Sequence, residues 1–204
     1  MELEREKQHL REEICHAAHQ IARAGWVAAN DGNLSARCPD GHVLITPSGL
    51  YKGDVTPELL LELTLEGDVI SPGLLPPSSE TPMHLALYRS RPEVGGVVHT
   101  HSPYAVCMAS RKEDLTQRIT MDMVLLLGGF VPCLPYLPLG TETLAQGVAN
   151  VPSEAAVLLA HHGAVTWGKT LREAWYRTQA LEAYCHQLWL QRQLSAEIPV
   201  LELE

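Results

Sequence analysis

Val97-Val98-His99-Thr100-His101-Ser102, introduced by Gly95 and Gly96, reads as a buried strand with two imidazoles on one face. Alternate side chains of an extended chain share a face, so His99 and His101 can converge on a single ion. Further along, the apolar run Ala155 to Ala160 reads as another buried strand, leading into His161-His162-Gly163 and a third imidazole from one of that pair. Three histidines with a carboxylate suit zinc or another divalent transition metal. The chain has ten histidines, so one HxH pair alone carries little weight, and the argument needs its companions. The carboxylate with the best placing is Glu80, behind Ser78 and Ser79 at the mouth of a helix predicted over Thr81 to Arg89. An acid there complements the helix dipole, and beside a metal it serves equally as a general acid/base. Ser79 is the expected N-cap.

Outward from these motifs the pattern is α/β. Leu10, Ile14, Ala17, Ala18 and Ile21 recur at helical spacing, giving an amphipathic helix from about residue 4 to 24, closed by Gly25. Leu34 to Arg37, His42 to Thr46 and Leu61 to Leu65 read as short strands, and Phe130 to Tyr136 as an edge strand because of its prolines. Thr141 to Ala149 reads as a helix, and Ala164 to Trp167 as a continuation of the strand before His161. The closing helix carries Leu171, Ala174, Trp175, Leu181, Cys185, Leu188 and Trp189 on one face.

The length of 204 residues fits one domain, and 46% apolar content supports a sizeable core. A net charge of -9 argues against a nucleic-acid footprint. No apolar run approaches the length of a membrane span. The opening MELEREKQHLREE is too charged for a signal peptide and too acidic for a transit peptide, which points to the cytoplasm. Five scattered cysteines, with no CxxC pair, exclude a disulfide framework and an all-thiolate zinc site. Three polar clusters, Asp31-Gly32-Asn33, Thr46-Pro47-Ser48-Gly49 and Pro77-Ser78-Ser79, offer hydroxyls and backbone N–H groups for an anion.

Taken in order, GNLSAR (Gly32 to Arg37), ITPSG (Ile45 to Gly49), PSSE (Pro77 to Glu80), VVHTHS (Val97 to Ser102) and HHG (His161 to Gly163) resemble the motif series of the class II aldolase/adducin family. The resemblance spans roughly residues 8 to 192, nearly the whole chain. It implies one domain over residues 1–204, with a three-layer α/β/α fold around a mainly antiparallel sheet, assembled as a homotetramer with active sites at subunit interfaces. Metal ligands implied by the motifs are His99, His101, His162 and Glu80, with Glu80 also the catalytic acid/base. Gly32, Asn33, Ser48, Gly49, Ser78 and Ser79 would hold a substrate phosphate. The implied metal is Zn2+, with Mn2+ or Co2+ as substitutes.

The implied reaction splits a ketose 1-phosphate, such as L-fuculose 1-phosphate, into dihydroxyacetone phosphate and a short aldehyde through a metal-stabilised enediolate. Lys52, beside the TPSG loop, bears no mark of a Schiff-base nucleophile. Related outcomes of the same chemistry are a methylthioribulose-phosphate dehydratase, a sugar-acid phosphate decarboxylase and a pentulose-phosphate 4-epimerase, the last usually carrying Asp where Glu80 stands. A non-catalytic adducin-like binding domain is the reading from another class, and such domains lose the histidines that are present here. Two departures bear on the aldehyde end. Asp122 stands where family aldolases place a helper tyrosine, and the sequence runs only a few residues beyond Pro199, where relatives carry a longer tail over the site.

Overall fold

The computed structural model describes residues 1–71, 74–194 and 197–201. Its strands are β1 (Asn33–Arg37), β2 (Val43–Ile45), β3 (Leu61–Leu63), β4 (Val69–Ser71), β5 (Gly96–Thr100), β6 (Cys133–Leu134), β7 (Ala156–Leu159) and β8 (Gly163–Gly168). Its helices are α1 (Glu2–Arg23), α2 (Thr81–Ser90), α3 (Pro103–Ser110), α4 (Met121–Leu125), α5 (Glu142–Ala149) and α6 (Leu171–Leu194). All the strands join one sheet in the order β4-β3-β2-β1-β5-β8-β7-β6, and every neighbouring pair is antiparallel except β6 with β7.

Strand alternation distributes the core into layers. Val43, Val97, Val157, Val165 and Trp167 face one way and pack against α2 and α5 through Met83, Leu87, Leu144 and Val148. Their sequence neighbours Leu34, Ala36, Leu44 and Val98 face the other way, against Ile14, Ala18 and Ile21 of α1. On that second face Ala156, Leu158 and Ala164 meet α3, α4 and α6 through Ala105, Met123, Leu181 and Leu188. The result is the expected α/β/α sandwich, with a sheet that is apolar on both faces because helices cover both. Central strand β5 is buried at every residue.

Helix α1 is fastened at its N-terminal half by charge as well as by packing. Lys7 Nζ lies 2.5 Å from Asp40 and 2.6 Å from Glu62, and His42 Nδ1 lies 2.8 Å from Glu62. Burial works against the Lys7 charge, and its hydrogen bonds to Asp40 and Glu62 more than restore it.

Several sequence expectations are corrected. Ala164 to Trp167 reverses direction instead of continuing the preceding strand: His161 takes φ +59, the His162 N–H bonds Leu159 O, and β8 returns antiparallel along β7. Ser79 does not cap α2. Glu80 occupies the cap position, while the Ser78 carbonyl accepts from the Thr81 N–H and hydroxyl. The expected strand at Phe130 to Tyr136 is reduced to the two residues of β6, at the sheet edge its prolines suggested. Trp189 is exposed, because α6 buries Tyr184, Cys185 and Leu188 and turns Trp189 outward. All five cysteines are free, three of them buried, with Cys133 half-buried and Cys107 exposed.

Lys7→Ala removes the cation between Asp40 and Glu62 and leaves a buried carboxylate short of its strongest partner. Urea denaturation is expected to show a loss of about 1–3 kcal/mol, with the folded far-UV spectrum retained. A midpoint unchanged from the parent would show that His42 and Arg11, whose guanidinium lies 3.6 Å from Glu62, satisfy that carboxylate without it.

Candidate metal centre

Three imidazoles converge where β5 ends and the β7–β8 hairpin turns. The ligand-capable nitrogens of His99, His101 and His162 all lie within 4.8 Å of one another. His99 belongs to β5, whereas His101 stands one residue beyond the strand, and its N–H is fixed by Trp26 O at 3.1 Å. The Nε2 atoms of His99 and His101 are 3.0 Å apart. Of the adjacent pair, His162 turns inward and His161 is exposed. Gly163 makes this approach feasible, since a Cβ there would sit 2.4 Å from Thr100 O and 2.9 Å from His101 Cδ2.

Glu80 completes the cluster from the cap of α2. Its Oε2 lies 3.1 Å from His99 Nε2, and its Oε1 lies 3.3 Å from His162 Nε2. Burial pushes the Glu80 carboxyl up, but the opposing charge and hydrogen bond of His99, then His162 and Asn33, hold it well below the usual carboxylate range. Burial, followed by His99, brings His162 down to about 3. His101 is also lowered by burial and His99, with Asp31, 3.3 Å from its Nδ1, partly offsetting them. Burial opposes charge on His99, whereas Glu80 favours it strongly enough to raise its pKa.

The donor set fits a divalent transition metal. A tetrahedral ion with metal–nitrogen bonds near 2.0–2.1 Å spaces its ligand nitrogens roughly 3.3 Å apart, the scale of the separations here. His99 Nδ1 donates to Ala164 O at 2.9 Å, which leaves Nε2 as the ring nitrogen facing its neighbours. Glu80 Oε1 and His162 Nδ1 are buried without a hydrogen-bond partner, and Oε1 belongs to the acid at the centre of the cluster. Asp40, His42 and Glu62 form a second group of metal-type side chains. There the Lys7 ammonium occupies the cation's place.

A cavity of about 220 Å³ opens over the imidazoles, and the three polar clusters meet in its wall. Gly32, Asn33, Ser48, Gly49, Ser78, Ser79, Glu80, His101 and His162, all named from sequence, line it, while His99 lies fully buried. Gly32 adopts φ +71, and a Cβ would come within 2.8 Å of His99 O, so only glycine lets this loop pass β5. The Ser48 N–H is taken by Pro76 O at 2.9 Å, which leaves its hydroxyl for a ligand. Ser78 Oγ accepts from the Glu80 N–H at 3.3 Å and retains its own proton to donate. Asn33 Nδ2 donates to Glu80 Oε2 at 2.9 Å, so its amide is committed first to the carboxylate.

Lys52 is fully buried and donates to Asn30 O at 3.2 Å and Leu50 O at 2.5 Å. It ties together two loops of the cavity wall, and burial pulls it down to about 8. Asp122 lies on α4 and does not line this cavity. Leu139 and Asn30 line it without having been singled out from sequence, and neither carried a chemical signal. A larger hollow of about 870 Å³, walled by Arg5, His9, Arg37, Pro92 and Lys169, gathers none of the imidazole cluster.

Comparison with known proteins places this geometry. Residues 12–189 match the family model described as Class II Aldolase and Adducin N-terminal domain. A 3-oxo-tetronate 4-phosphate decarboxylase of Escherichia coli O6:H1 is 36% identical over 180 residues, 86% of this chain and 84% of that protein. A 5-deoxy-D-ribulose 1-phosphate aldolase of Bacillus thuringiensis is 35% identical over 193 residues, 94% of this chain and 89% of that protein. The crystal structure of L-fuculose-1-phosphate aldolase from Thermus thermophilus superposes with a TM-score of 0.81 at 29% identity, covering 94% of this chain and 98% of that one.

Before an ion can take the His99 Nε2 lone pair, the proton that Glu80 favours there must leave. Zinc affinity, measured by competition with a chelator, is therefore expected to fall about tenfold per pH unit below the His99 pKa. A flat profile between pH 5 and 8 would mean that no proton is displaced.

Proposed function

This chain belongs to the class II aldolase and adducin family, and within it we propose a metal-dependent aldolase that cleaves a ketose 1-phosphate to dihydroxyacetone phosphate and a short aldehyde. The observation that carries the reading is the convergence of His99, His101, His162 and Glu80 beside a cavity also lined by Ser48, Gly49, Ser78 and Ser79. A carbanion-forming site and a phosphate-sized set of N–H and hydroxyl donors are what such a substrate needs at its two ends.

His99, His101, His162 and Glu80 would hold Zn2+ or a similar cation, which when bound polarises the ketose carbonyl and offsets the negative charge developing as the carbon–carbon bond breaks. The protein groups do the rest. Hydroxyls of Ser48, Ser78 and Ser79, with the backbone at Gly32 and Gly49 and the amide of Asn33, would grip the phosphate and fix the reacting carbons by binding energy remote from them. As the carbon–carbon bond breaks, the hydroxyl at the departing end would give its proton to solvent and become the aldehyde carbonyl. The bond's electron pair stays on the retained carbon, which takes a proton that Glu80 has received from solvent in exchange. Glu80, held ionised and aligned by Asn33, would move the proton to and from the carbon that keeps the electron pair. One domain carries all these groups. Homotetramer assembly belongs to the same reading, and Leu125, Tyr136 and Leu139 supply exposed apolar surface for it.

Decarboxylation is the second reading, favoured by the 36% identity to the 3-oxo-tetronate 4-phosphate decarboxylase. The cavity weighs against it. Among the described residues no lysine or arginine lines the wall, and Asp31 adds a negative charge, so a neutral departing end suits it better than a carboxylate.

The test loads the protein with zinc and measures dihydroxyacetone phosphate from L-fuculose 1-phosphate, 5-deoxy-D-ribulose 1-phosphate and 3-oxo-tetronate 4-phosphate, with and without chelator. Chelator-sensitive release from a ketose 1-phosphate, with aldehyde in equal amount, is the expected result. Release from the oxo acid alone, with carbon dioxide, would replace the aldolase by the decarboxylase. Glu80→Gln is expected to lower turnover by about 10²–10⁴-fold with the fold intact, and parent-like turnover would remove Glu80 from proton transfer.

A further inference from the structure

Beneath the cavity, a row of polar side chains crosses the core between β1 and α2. Asn33, Ser35 and Arg37 alternate onto the α2 face of β1, and Glu80, His84 and Tyr88 follow at intervals of four along α2. Two strand residues advance about 6.6–6.8 Å, and four helical residues advance about 6 Å, so the two series stay in step. Asn33 meets Glu80 and His84, Ser35 meets His84 and Tyr88, and Arg37 meets Tyr88. His84 and Ser35 have no exposed surface at all, and Asn33, Glu80 and Tyr88 are also buried.

The direction of every hydrogen bond in this row is set from one end. An ionised Glu80 can only accept, so the Asn33 amide must present its NH₂ group to Oε2, at 2.9 Å. Asn33 Oδ1 then faces His84 Nε2 at 2.6 Å, which requires the imidazole to carry its proton on Nε2. His84 Nδ1 is left as an acceptor for the Ser35 hydroxyl at 2.6 Å. Ser35 Oγ in turn accepts from the Tyr88 hydroxyl at 2.8 Å. No member of the row has a choice of tautomer or flip without breaking a buried bond.

We propose that His84 is a positioning residue for Glu80, acting through Asn33: its Nε2–H locks the amide so that NH₂, and not the carbonyl, faces the carboxylate. With the amide reversed, an oxygen would oppose Glu80 Oε2 and turn the carboxylate away from His99 and His162. Ser35 and Tyr88 hold the His84 tautomer that makes this lock work. The inference rests on the reading of Glu80 as the proton-transfer group, and its first test is independent of catalysis.

In the metal-free protein, the ¹⁵N shifts of His84 are expected to report a neutral ring protonated at Nε2 near neutral pH. A ring protonated at Nδ1 reverses the chain and overturns the proposal, with no variant required. The second test compares two substitutions. His84→Gln places an amide NH₂ near the old Nε2 and loses the Nδ1 contact. His84→Asn places its amide near the old Nδ1 and loses the donor to Asn33. In zinc-loaded protein, kcat is expected to stay within about threefold of the parent for His84→Gln and to fall about 10–100-fold for His84→Asn. A merely structural histidine would lose as much by either change, and equal losses would overturn the proposal. If the parent itself releases no product from any of the three sugars, the proposed function fails and the ¹⁵N result alone decides the role of His84.

Discussion

Strand β5 lies at the centre of the sheet with helices over both faces, and that burial is the constraint from which the site follows. Val97 faces α2 and α5, and Val98 faces α1, so the strand has no solvent side on which to place a polar group. His99 nevertheless stands on it with no exposed surface. Each unpaired polar atom there would cost about 1–3 kcal/mol, so the surrounding sequence must supply partners. Ala164 O takes Nδ1, and Glu80 stands at Nε2. Glu80 is then a buried anion with the same requirement, met from β1 by Asn33, whose register partner in the sheet is His99 itself. Strand pairing thus places the metal-type ligand and the residue that holds its neighbouring carboxylate side by side.

The cost of that arrangement explains why the polar row continues beyond Asn33. An apolar residue at His84 would leave the Asn33 carbonyl unpaired in the core, and one at Ser35 would leave His84 Nδ1 and the Tyr88 hydroxyl without each other's bridge. A network of this kind stabilises only when every member is satisfied, and here the row ends at the Tyr88 hydroxyl, on Ser35. Its yield is orientation: a carboxylate fixed against two imidazoles, in a cavity wall otherwise made of turns.

Periodicity and local chemistry made much of this legible in the sequence, and the failures share a cause. The convergence of His99 and His101 followed from period-two alternation, and the meeting of the polar clusters in one cavity was carried by the order of the family motifs. The reversal at His161 was not legible, because two adjacent histidines before a glycine read alike in a strand that continues and in one that turns back; the left-handed φ of His161 is a tertiary outcome. Helix α3 was missed although Ser102-Pro103 is a sound start signal, because that signal follows directly on the strand motif and shares its Ser102. His84 was missed for a deeper reason. Between Met83 and Leu85 it looks like part of an apolar helix face, and its function depends on the register of β1 against α2, which no local window contains.

The relatives that split aldehydes from ketose phosphates and the one that removes carbon dioxide from an oxo acid pose one chemical problem. Both break a bond to the carbon next to a carbonyl, leave an electron pair there, and need a proton delivered to that carbon. The groups that bind phosphate and deliver the proton can therefore be common to both, and the choice falls to what surrounds the departing end. Charge is the sharpest discriminator available at that end, because a carboxylate without a cation or several N–H donors carries a desolvation cost that an aldehyde does not. Asp31 lies 3.3 Å from His101 Nδ1, and Leu139 adds apolar surface to the same cavity wall. On the proposed reading a short, uncharged fragment would meet these two, so the residues that separate the two reactions are to be sought beside His101 rather than among the ligands.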